Sequence, residues 1–370
     1  MPLKITVIGA GAAGLNTSIH LRRFLNADVT ILERAEEHET PGLGVALLSF
    51  ARDEMRLIGL GDFVDGGAYG MPISTTTRVF AGSAGGPLAE EERIQEVDYW
   101  GVRRSELVAK LRRAAADEGV RIEYRTDITP DRVRTERSAC DVLVGADGAG
   151  SVVRSTFAEE FKPTIREATS RYAWLQLTGR LEQFVFGYIY LPGQGLVRIT
   201  AYPHAKDECS AIITHSAGLS GMLDGPGMLD ADGSLSTLAL ETINGFFAKG
   251  LGGHRIVGSS RWRKFRATSC ATAASGNVAL VGDAFATIHY ETGWGTSAAL
   301  QNARIFCHIL AHSRDTGLTL PDGMAVYARK TGEITAALVE TTARVMDEVD
   351  GQADVIAEIG TERFMTLATP

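Results

Sequence analysis

The first clear pattern in the chain is an apolar strand, a glycine-rich turn, a helix and a second strand. Residues Lys4 to Ile8 predict the first strand, the amphipathic pattern from Ala12 to Leu25 predicts the helix, and Val29 to Glu33 predicts the second strand. Two parallel strands joined by a helix form a βαβ unit. We therefore expect a parallel sheet in this part of the chain.

Two later segments predict further strands of this sheet, each ending at an aspartate. One apolar run leads into Asp147-Gly148 and a helix start, and a second run leads into Gly282-Asp283. Near-continuous apolar runs are typical of buried parallel strands, and open α/β sheets bind ligands at the carboxyl ends of their strands. Both aspartates are therefore candidate ligand-binding residues, although each alone is also explained as a helix cap.

The middle of the chain follows the two-residue alternation of strands. Three runs, at residues 184–190, 196–202 and 210–215, are rich in aromatic and β-branched residues and have Gly and Pro between them. They predict an antiparallel sheet. After Gly323 the pattern becomes that of a long amphipathic helix covering the core, with an apolar face made of Ile334, Leu338, Val345 and Val349.

Length and charge narrow the class of protein. With 370 residues and 45% hydrophobic content, the chain is larger than one ordinary core requires, so we expect two interlocked domains. A net charge of −8 disfavours binding to nucleic acid. The basic run from Arg261 to Arg266 is an exception, which we interpret as the solvated edge of a strand, with phosphate recognition as the alternative.

The sequence also predicts where the protein is found and the state of its cysteines. It contains no apolar stretch of about 20 residues, the length a membrane span needs, and its first residues enter a strand and not a secretory signal. We therefore expect a cytoplasmic monomer or homodimer without a membrane partner. The four cysteines are widely separated and lack clustered histidines, which predicts reduced core thiols and no metal site.

The turn after the first strand has the pattern GxGxxG, at Gly9, Gly11 and Gly14. In a dinucleotide-binding turn, these glycines permit a tight turn, let the backbone approach a pyrophosphate and allow the helix to pack on the sheet. The pyrophosphate lies at the helix N-terminus, where free N–H groups and the helix dipole favour an anion. Glu33 is placed to accept hydrogen bonds from ribose hydroxyls, with an ordinary surface carboxylate as the alternative. The turn alone does not distinguish FAD from NAD.

The GxGxxG turn, the Asp147-Gly148 segment and the Gly282-Asp283 segment together resemble the FAD-dependent aromatic monooxygenases of the p-hydroxybenzoate hydroxylase type. The resemblance implies a mixed α/β fold, in which a Rossmann-like FAD-binding domain is interleaved with an antiparallel-sheet substrate domain and followed by a C-terminal helix. The implied ranges are 1–70, 96–165 and 265–322 for the FAD-binding domain, 71–95 and 166–264 for the substrate domain, and 323–370 for the helical segment.

Matched residue by residue, the resemblance implies contacts to non-covalently bound FAD. Arg104 reaches the nucleotide from a helix start, with the adjacent Arg103 as an alternative register. The residues implied for the ADP half are Gly9, Gly11, Ala13, Gly14, Glu33 and Arg34. Those implied for the rest of the cofactor are Asp283 at the ribityl chain, Gly295 and Thr296 at the pyrimidine ring, and Gly44 and Val45 in a loop from Gly42 beside the isoalloxazine.

Departures from the family pattern indicate one branch of it. Most members carry a histidine, a proline and an asparagine where this chain has Ala286, Tyr290 and Ser297. The pair His289-Tyr290 is more similar to the branch that contains salicylyl-CoA 5-hydroxylase, anthraniloyl-CoA monooxygenases and the violacein-pathway hydroxylase.

His289 is the candidate catalytic residue, because it follows Gly282-Asp283 and imidazole can change protonation near neutral pH. A histidine held by a nearby backbone carbonyl is the alternative. The candidate substrate-binding residues are aromatic side chains, for each of which packing in the core is the alternative: Trp174, Tyr188, Tyr202 and Tyr290.

The resemblance implies hydroxylation of an aromatic or conjugated small molecule, either free or tethered to CoA or a carrier. In this family NAD(P)H reduces the flavin, O2 forms a C4a-hydroperoxide, and oxygen passes to an electron-rich carbon in a dry pocket. No second nucleotide fold is evident in the sequence, so we expect NAD(P)H to bind transiently. The alternatives are a double-bond reductase, a halogenase, whose WxWxIP segment is absent here, and a non-catalytic relative.

Overall fold

The structure, a computed structural model, describes residues 1–37, 43–65, 70–73, 76–94 and 99–367. Gly42, which the resemblance places in the flavin loop, lies outside these residues. The helices are α1 Ala12–Leu25, α2 Ser49–Leu57, α3 Gly61–Asp65, α4 Arg104–Asp117, α5 Pro130–Ala139, α6 Val152–Thr156, α7 Ala158–Phe161, α8 Ser220–Leu223, α9 Thr237–Phe247, α10 Gly295–Asp315, α11 Leu320–Ile359 and α12 Thr361–Leu367. Within the described ranges, no helix has both the length and the apolar content to span a bilayer.

The strands are assigned over the same described ranges. They are β1 Lys4–Ile8, β2 Asp28–Leu32, β3 Gly44–Leu48, β4 Gly70–Ile73, β5 Thr76–Ser83, β6 Leu88–Ile94, β7 Tyr99–Arg103, β8 Arg121–Glu123, β9 Val142–Gly145, β10 Pro163–Leu177, β11 Phe184–Leu191, β12 Gly195–Ala205, β13 Glu208–His215, β14 Ile256–Ser259, β15 Arg263–Cys270, β16 Ala274–Ser275 and β17 Val278–Leu280. They form three sheets, which we name A, B and C, within the part of the chain that the structure describes.

Sheet A has the strand order β16-β17-β9-β1-β2-β8, and β17, β9, β1, β2 and β8 pair in parallel. Consecutive residues from Ile5 to Ile8 are all buried, so both faces of β1 are covered. β1 and α1 have the bounds that the sequence pattern predicts, and β2 ends one residue before Glu33. The predicted βαβ unit is therefore confirmed.

Sheet B has the order β14-β10-β13-β12-β11-β5-β6, with β15 paired to β10. β11, β12 and β13 contain the three predicted runs and pair antiparallel, which confirms that prediction. Because side chains alternate along a strand, Val197 and Ile199 of β12 pack in one core cluster with α9, whereas Arg198, Thr200 and Tyr202 face the opposite side. We call this opposite side the inner face of sheet B. Sheet C has the order β3-β7-β4.

The basic run from Arg261 to Arg266 lies at the start of β15, which pairs with β10. Trp262 and Phe265 are buried, and the cationic side chains of the run are exposed. The run therefore forms a solvated strand surface, as its pattern predicts.

α11 confirms the predicted long helix but corrects its apolar face. Val349 is buried as predicted, whereas Ile334 is 47% exposed. Ile334 and Leu338 border an open groove beside α10 instead of a packed interface, so the predicted face is wrong in the middle of the helix. The helix begins at Leu320 because Thr319 and Asp322 form a reciprocal capping box. Its buried positions are Gly323, Met324, Tyr327, Thr331, Thr342, Met346, Val349 and Ile356.

Candidate active site

A cavity of about 680 Å³ lies between the carboxyl edge of sheet A and the inner face of sheet B. On the first side it is lined by the turns after β1, β9 and β17 and by the first residues of α4 and α10. On the second side it is lined by residues of β10, β11, β12 and β13. Because open α/β sheets bind ligands at the carboxyl ends of their strands, this cavity is the candidate active site.

The glycine-rich turn after β1 has room for a ligand at one position and none at its neighbours. A Cβ atom on Gly9, whose φ is +105°, would lie 2.6 Å from the carbonyl oxygen of Ala146. On Gly14 it would lie 2.0 Å from the carbonyl oxygen of Gly9. On Gly11 it would meet no atom of the described residues within 4 Å, and Gly11 lines the cavity. This open space beside the N-terminus of α1 fits a pyrophosphate.

Glu33 holds the same turn from the end of β2. Its Oε2 accepts a hydrogen bond of 2.6 Å from the Ala10 N–H, and its Oε1 accepts one of 2.8 Å from the Ala35 N–H. Each carboxylate oxygen has further acceptor capacity, so a ribose contact is compatible with these bonds. Neither Glu33 nor the exposed Arg34 lines the cavity, and their cofactor contacts stay predictions.

The two adjacent arginines at the start of α4 have different surroundings. Arg103 donates two hydrogen bonds of 2.8 Å to Glu208 and one of 2.6 Å to Glu106. Arg104 lines the cavity, and its charge acts to lower the pKa of Asp283. The geometry therefore favours Arg104 over Arg103 as a nucleotide ligand.

The two aspartates at the ends of β9 and β17 also differ. Asp147 accepts bonds from Ser151 Oγ at 2.5 Å and from the Val152 N–H at 2.6 Å, so it caps α6, the alternative given for it. Asp283 instead opens onto the cavity. The Asp283 side chain is exposed to the cavity, but the cavity walls surround it with protein, and this desolvation raises its pKa to about 6, while Arg104 and Arg154 oppose that rise.

Arg154 is a residue to which sequence reasoning gave no role. Its Nη1 donates to the carbonyl oxygen of Ala284 at 2.9 Å, and its Nη2 donates to that of Ala149 at 2.5 Å. These bonds join the turn after β9 to the turn after β17. An arginine seven residues after Asp147, in a segment otherwise free of cations, is the signal that marks it.

The N-terminus of α10 faces the cavity through Gly295 and Thr296. Among the described residues no side chain caps this helix, so its first N–H groups are available to the electron-rich edge of a flavin. Together with Gly11, Arg104 and Asp283, these groups fit FAD. Val45 also lines the cavity, whereas Gly44 does not. A Cβ at Gly44 would lie 2.2 Å from the ring of His204, so close packing explains a glycine there, and its contact with the cofactor stays a prediction.

Three of the four predicted substrate residues line the cavity: Trp174, Tyr202 and Tyr290. The fourth, Tyr188, is on the inner face of sheet B, but Phe364 of α12 covers it in an edge contact of 5.2 Å. Its substrate contact stays a prediction that this packing does not favour. The sequence patterns did not identify the other aromatic lining residues, Tyr99, Phe184, Phe186 and Trp294.

His289 is fully buried and does not line the cavity. Its Nδ1 accepts a hydrogen bond of 3.3 Å from the Glu291 N–H. The centroid of its ring lies 4.5 Å from that of Phe265 and 4.3 Å from that of Tyr290. Burial and the charge of Arg198 lower its pKa to about 3, so the ring is neutral near pH 7. A catalytic role for His289 stays a prediction that this geometry does not favour.

The carboxylate close to His289 is a further residue that sequence reasoning missed. Glu291, in the 3-10 helix Tyr290–Thr292, lines the cavity and pairs with Arg198 on the inner face of sheet B, with Oε2 and Nη2 2.8 Å apart. A lone arginine in the apolar run 196–202 and an acid after His289-Tyr290 are the signals that could have found this pair.

Comparison with known sequences places the chain in a family. A 3-hydroxy-4-methyl-anthranilyl-[aryl-carrier protein] 5-monooxygenase from Streptosporangium sibiricum is 30% identical over 311 residues, which are 83% of this chain and 79% of that protein. The chain belongs to the FAD-dependent aromatic monooxygenases. No protein-family model matches the chain.

Two further relatives confirm the branch that His289-Tyr290 indicates. Salicyloyl-CoA 5-hydroxylase from a Streptomyces species is 27% identical over 338 residues, 89% of this monooxygenase, which spans 62% of the length of that hydroxylase. Protodeoxyviolaceinate monooxygenase from Chromobacterium violaceum is 25% identical over 83% of this chain and 79% of that protein.

Solved structures confirm the mixed α/β fold of this monooxygenase. PqsL, a probable FAD-dependent monooxygenase from Pseudomonas aeruginosa, matches with a TM-score of 0.71 and 19% identity over 95% of this chain and 97% of that chain. 2-Methyl-3-hydroxypyridine-5-carboxylic acid oxygenase matches with a TM-score of 0.69 and 22% identity over 95% of this chain and 93% of that chain. At such identities the likeness supports the fold alone.

Proposed function

We propose that this protein uses FAD, NAD(P)H and O2 to hydroxylate an aromatic or similarly conjugated small molecule. The observation that carries the proposal is the continuity of the cavity. It runs from the open space beside Gly11, past Asp283 and the N-terminus of α10, to the aromatic inner face of sheet B. One end fits a dinucleotide and the other end fits a ring.

The chain's own groups would hold the cofactor at defined points. Gly11 and the N-terminus of α1 receive the pyrophosphate, Arg104 approaches the nucleotide, Asp283 binds the ribityl hydroxyls, and the first N–H groups of α10 face the pyrimidine ring. FAD, when bound, supplies the transfer of electrons from NAD(P)H to O2 and of one oxygen atom to the substrate.

The substrate end must orient a ring and exclude water. Trp174, Phe184, Phe186 and Tyr202 give it an apolar wall. The Tyr202 hydroxyl donates to the carbonyl oxygen of Gly44 at 3.0 Å, and the Tyr290 hydroxyl shares a bond of 2.9 Å with Thr214, so both rings are fixed. A dry, rigid wall protects a reactive oxygen species from water and holds the ring carbon in place.

NAD(P)H would act as a transient co-substrate. Among the described residues, sheet A is the one sheet with a parallel nucleotide-binding pattern, and the FAD groups occupy its carboxyl edge. The relatives named above act on a CoA ester and on a carrier-bound anthranilyl group. We therefore extend the proposal to thioester-tethered aromatic acids.

The test begins with the absorption spectrum of the purified protein, which should show FAD that acid precipitation releases. NAD(P)H oxidation is then followed with aromatic acids, indoles and their CoA thioesters. The right compound should accelerate it, with equal consumption of NAD(P)H and O2. One atom from ¹⁸O2 should appear in the product. Label from water, or turnover that proceeds equally well without O2, would contradict hydroxylation and favour the reductase alternative.

A further inference from the structure

One carboxylate that lines the aromatic end of the cavity has hydrogen-bond donors at one oxygen and, among the described residues, none at the other. Glu291 and Arg198 have side chains only 5% and 8% exposed, so both charges are buried. Oε2 of Glu291 accepts from Arg198 Nη2 at 2.8 Å and from Thr200 Oγ1 at 3.2 Å. In the described part of the chain, no group donates a hydrogen bond to Oε1. A buried carboxylate oxygen without a donor is destabilising unless a ligand supplies one.

The anchor of this carboxylate is rigid. Arg198 and Thr200 are two residues apart on β12, so both project from the inner face of sheet B. Arg198 Nη1 donates to Gln352 Oε1 at 2.9 Å, which ties the guanidinium to α11. Glu291 cannot turn Oε1 toward Arg198 without giving up the bonds at Oε2. The buried oxygen without a donor, Oε1, is therefore held in position in the cavity wall.

The surroundings of Glu291 are those of a ring-binding site. Glu291 and Thr200 line the cavity together with Trp174, Tyr202 and Tyr290. A flat aromatic ligand that fills this end lies among the three rings and beside the carboxylate. The chemistry that completes the site is an O–H or N–H group carried by the ligand.

We infer that Glu291 is a specificity-determining residue, whose carboxylate accepts a hydrogen bond from a hydroxyl or amino group on the aromatic ligand. Arg198 and Thr200 are positioning residues that act through Glu291. The inference rests on the proposed function for the aromatic nature of the ligand. A hydrogen bond from the ring substituent to a carboxylate also increases electron density in the ring, which favours attack by an electrophilic oxygen. A ligand without the donor leaves a buried polar group unpaired and is rejected.

The experiment measures binding to the FAD-loaded protein without turnover. Quenching of tryptophan fluorescence reports occupancy, because Trp174 and Trp294 line the cavity. The probes are salicylate against 2-methoxybenzoate and anthranilate against its N,N-dimethyl derivative, each as the free acid and as the N-acetylcysteamine thioester. Wild type should bind the donor-bearing member of a pair at least ~10-fold more tightly.

Glu291→Gln replaces the free acceptor with an amide donor while an amide oxygen still faces Arg198. The affinity ratio should fall to about one or invert. Glu208→Gln is the matched control, since Glu208 also pairs with an arginine, Arg103 at 2.8 Å, but does not line the cavity. It should keep the wild-type ratio. If Glu291→Gln does not fold, Thr200→Val takes its place, and the ratio should fall ~3-fold because one of the two donors to Oε2 is lost.

Three results would overturn the inference. The wild-type protein binds both members of each pair equally, or it binds no donor-bearing probe, or the folded Glu291 or Thr200 variant keeps the affinity ratio of the wild type. Selective binding without NAD(P)H-driven oxygenation would instead contradict the proposed function and leave the role of Glu291 intact. The two failures are therefore distinguishable.

Discussion

The two ends of the cavity are built from different kinds of group. At the cofactor end, the ligand would meet backbone N–H groups and the space beside Gly11, with Arg104 and Asp283 as the main charged side chains. At the substrate end, it would meet side chains from strands far apart in sequence, such as Trp174 and Tyr202. Backbone geometry follows from a short local motif, whereas a wall of side chains exists only after sheet B has formed. The cofactor end should therefore respond to changes in shape, and the substrate end to changes in side-chain chemistry.

The largest effect is expected from Gly11→Val. A Cβ at Gly11 has no atom of the described residues within 4 Å, so the new side chain enters the space that fits the pyrophosphate. FAD affinity should fall by ~100-fold or more, as expected when several charge-assisted hydrogen bonds are lost together. The thermal midpoint of the FAD-free protein should not change.

Gly14→Val is the matched comparison for Gly11→Val. Its Cβ would lie 2.0 Å from the carbonyl oxygen of Gly9, so this variant should lower the thermal midpoint of the FAD-free protein as well as its FAD content. The measurements are FAD absorbance per protein and circular dichroism melting. A Gly11 variant that retains FAD would contradict the assignment of the turn.

A smaller loss is expected from Asp283→Ala. Removing a carboxylate that binds ribityl hydroxyls should weaken FAD by about 10- to 100-fold. NAD(P)H binding should change less, because the proposed contact is to the flavin nucleotide. Equilibrium titration of the FAD-free protein with FAD measures the first value, and the KM for NAD(P)H at saturating FAD tracks the second. Equal weakening of both would count against a ribityl contact.

The same contrast explains what the sequence could predict. The bounds of β1 and α1, the glycine turn and the position of Asp283 after a buried strand follow from short-range pattern, and the structure has them there. The covering of Tyr188 by Phe364 depends on residues 176 positions apart, so strand alternation alone could not indicate that this ring is packed against another helix. The pairing of Glu291 with Arg198 likewise requires two segments that sequence order does not bring together.

A moderate effect is expected from Trp174→Ala, which tests the apolar wall. Enlarging the cavity beside the ring admits water, so the fraction of NAD(P)H oxidation that yields hydroxylated product should fall several-fold. This fall corresponds to about 1 kcal/mol in the difference between the barriers to hydroxylation and to peroxide release. Hydrogen peroxide should account for the difference. Tyr188→Phe is the control, because Tyr188 is covered by Phe364 and does not line the cavity. An unchanged fraction of hydroxylated product in the Trp174 variant would show that Trp174 is not part of the substrate wall.

A still smaller effect, on stability alone, is expected from Asp283→Asn in the FAD-free protein. Desolvation raises the pKa of Asp283 to about 6 from an ordinary 3.8, so the folded state holds its proton more tightly than the unfolded state. This group therefore lowers stability as pH rises from about 4 to about 6, and its full penalty is present above pH 6. The variant should gain thermal midpoint over wild type at pH 7.5 but not at pH 4. An equal difference between the thermal midpoints of variant and wild type at both pH values would contradict the raised pKa of Asp283.

The smallest effect on turnover is expected from His289→Asn, although its position after Gly282-Asp283 and the titration range of imidazole made His289 the catalytic candidate. The ring lies outside the cavity, and an asparagine oxygen can take the place of Nδ1 as acceptor for the Glu291 N–H, which lies 3.3 Å from it. With a pKa lowered to about 3 by burial, His289 is neutral throughout the physiological range and contributes no ionisation between pH 5 and 8. We therefore expect unchanged FAD content, a hydroxylation rate within ~3-fold of wild type and the same pH–rate profile, whereas loss of a general acid–base group costs ~10²-fold or more.

The measurements are the rate of product formation as a function of pH and the thermal melting temperature of each protein. A rate loss of ~10²-fold or more, with a missing limb of the pH profile and an unchanged melting temperature, would show that His289 acts as a general acid or base. A loss that parallels reduced stability would instead show that its ring supports the position of Tyr290 and Glu291 in the cavity wall.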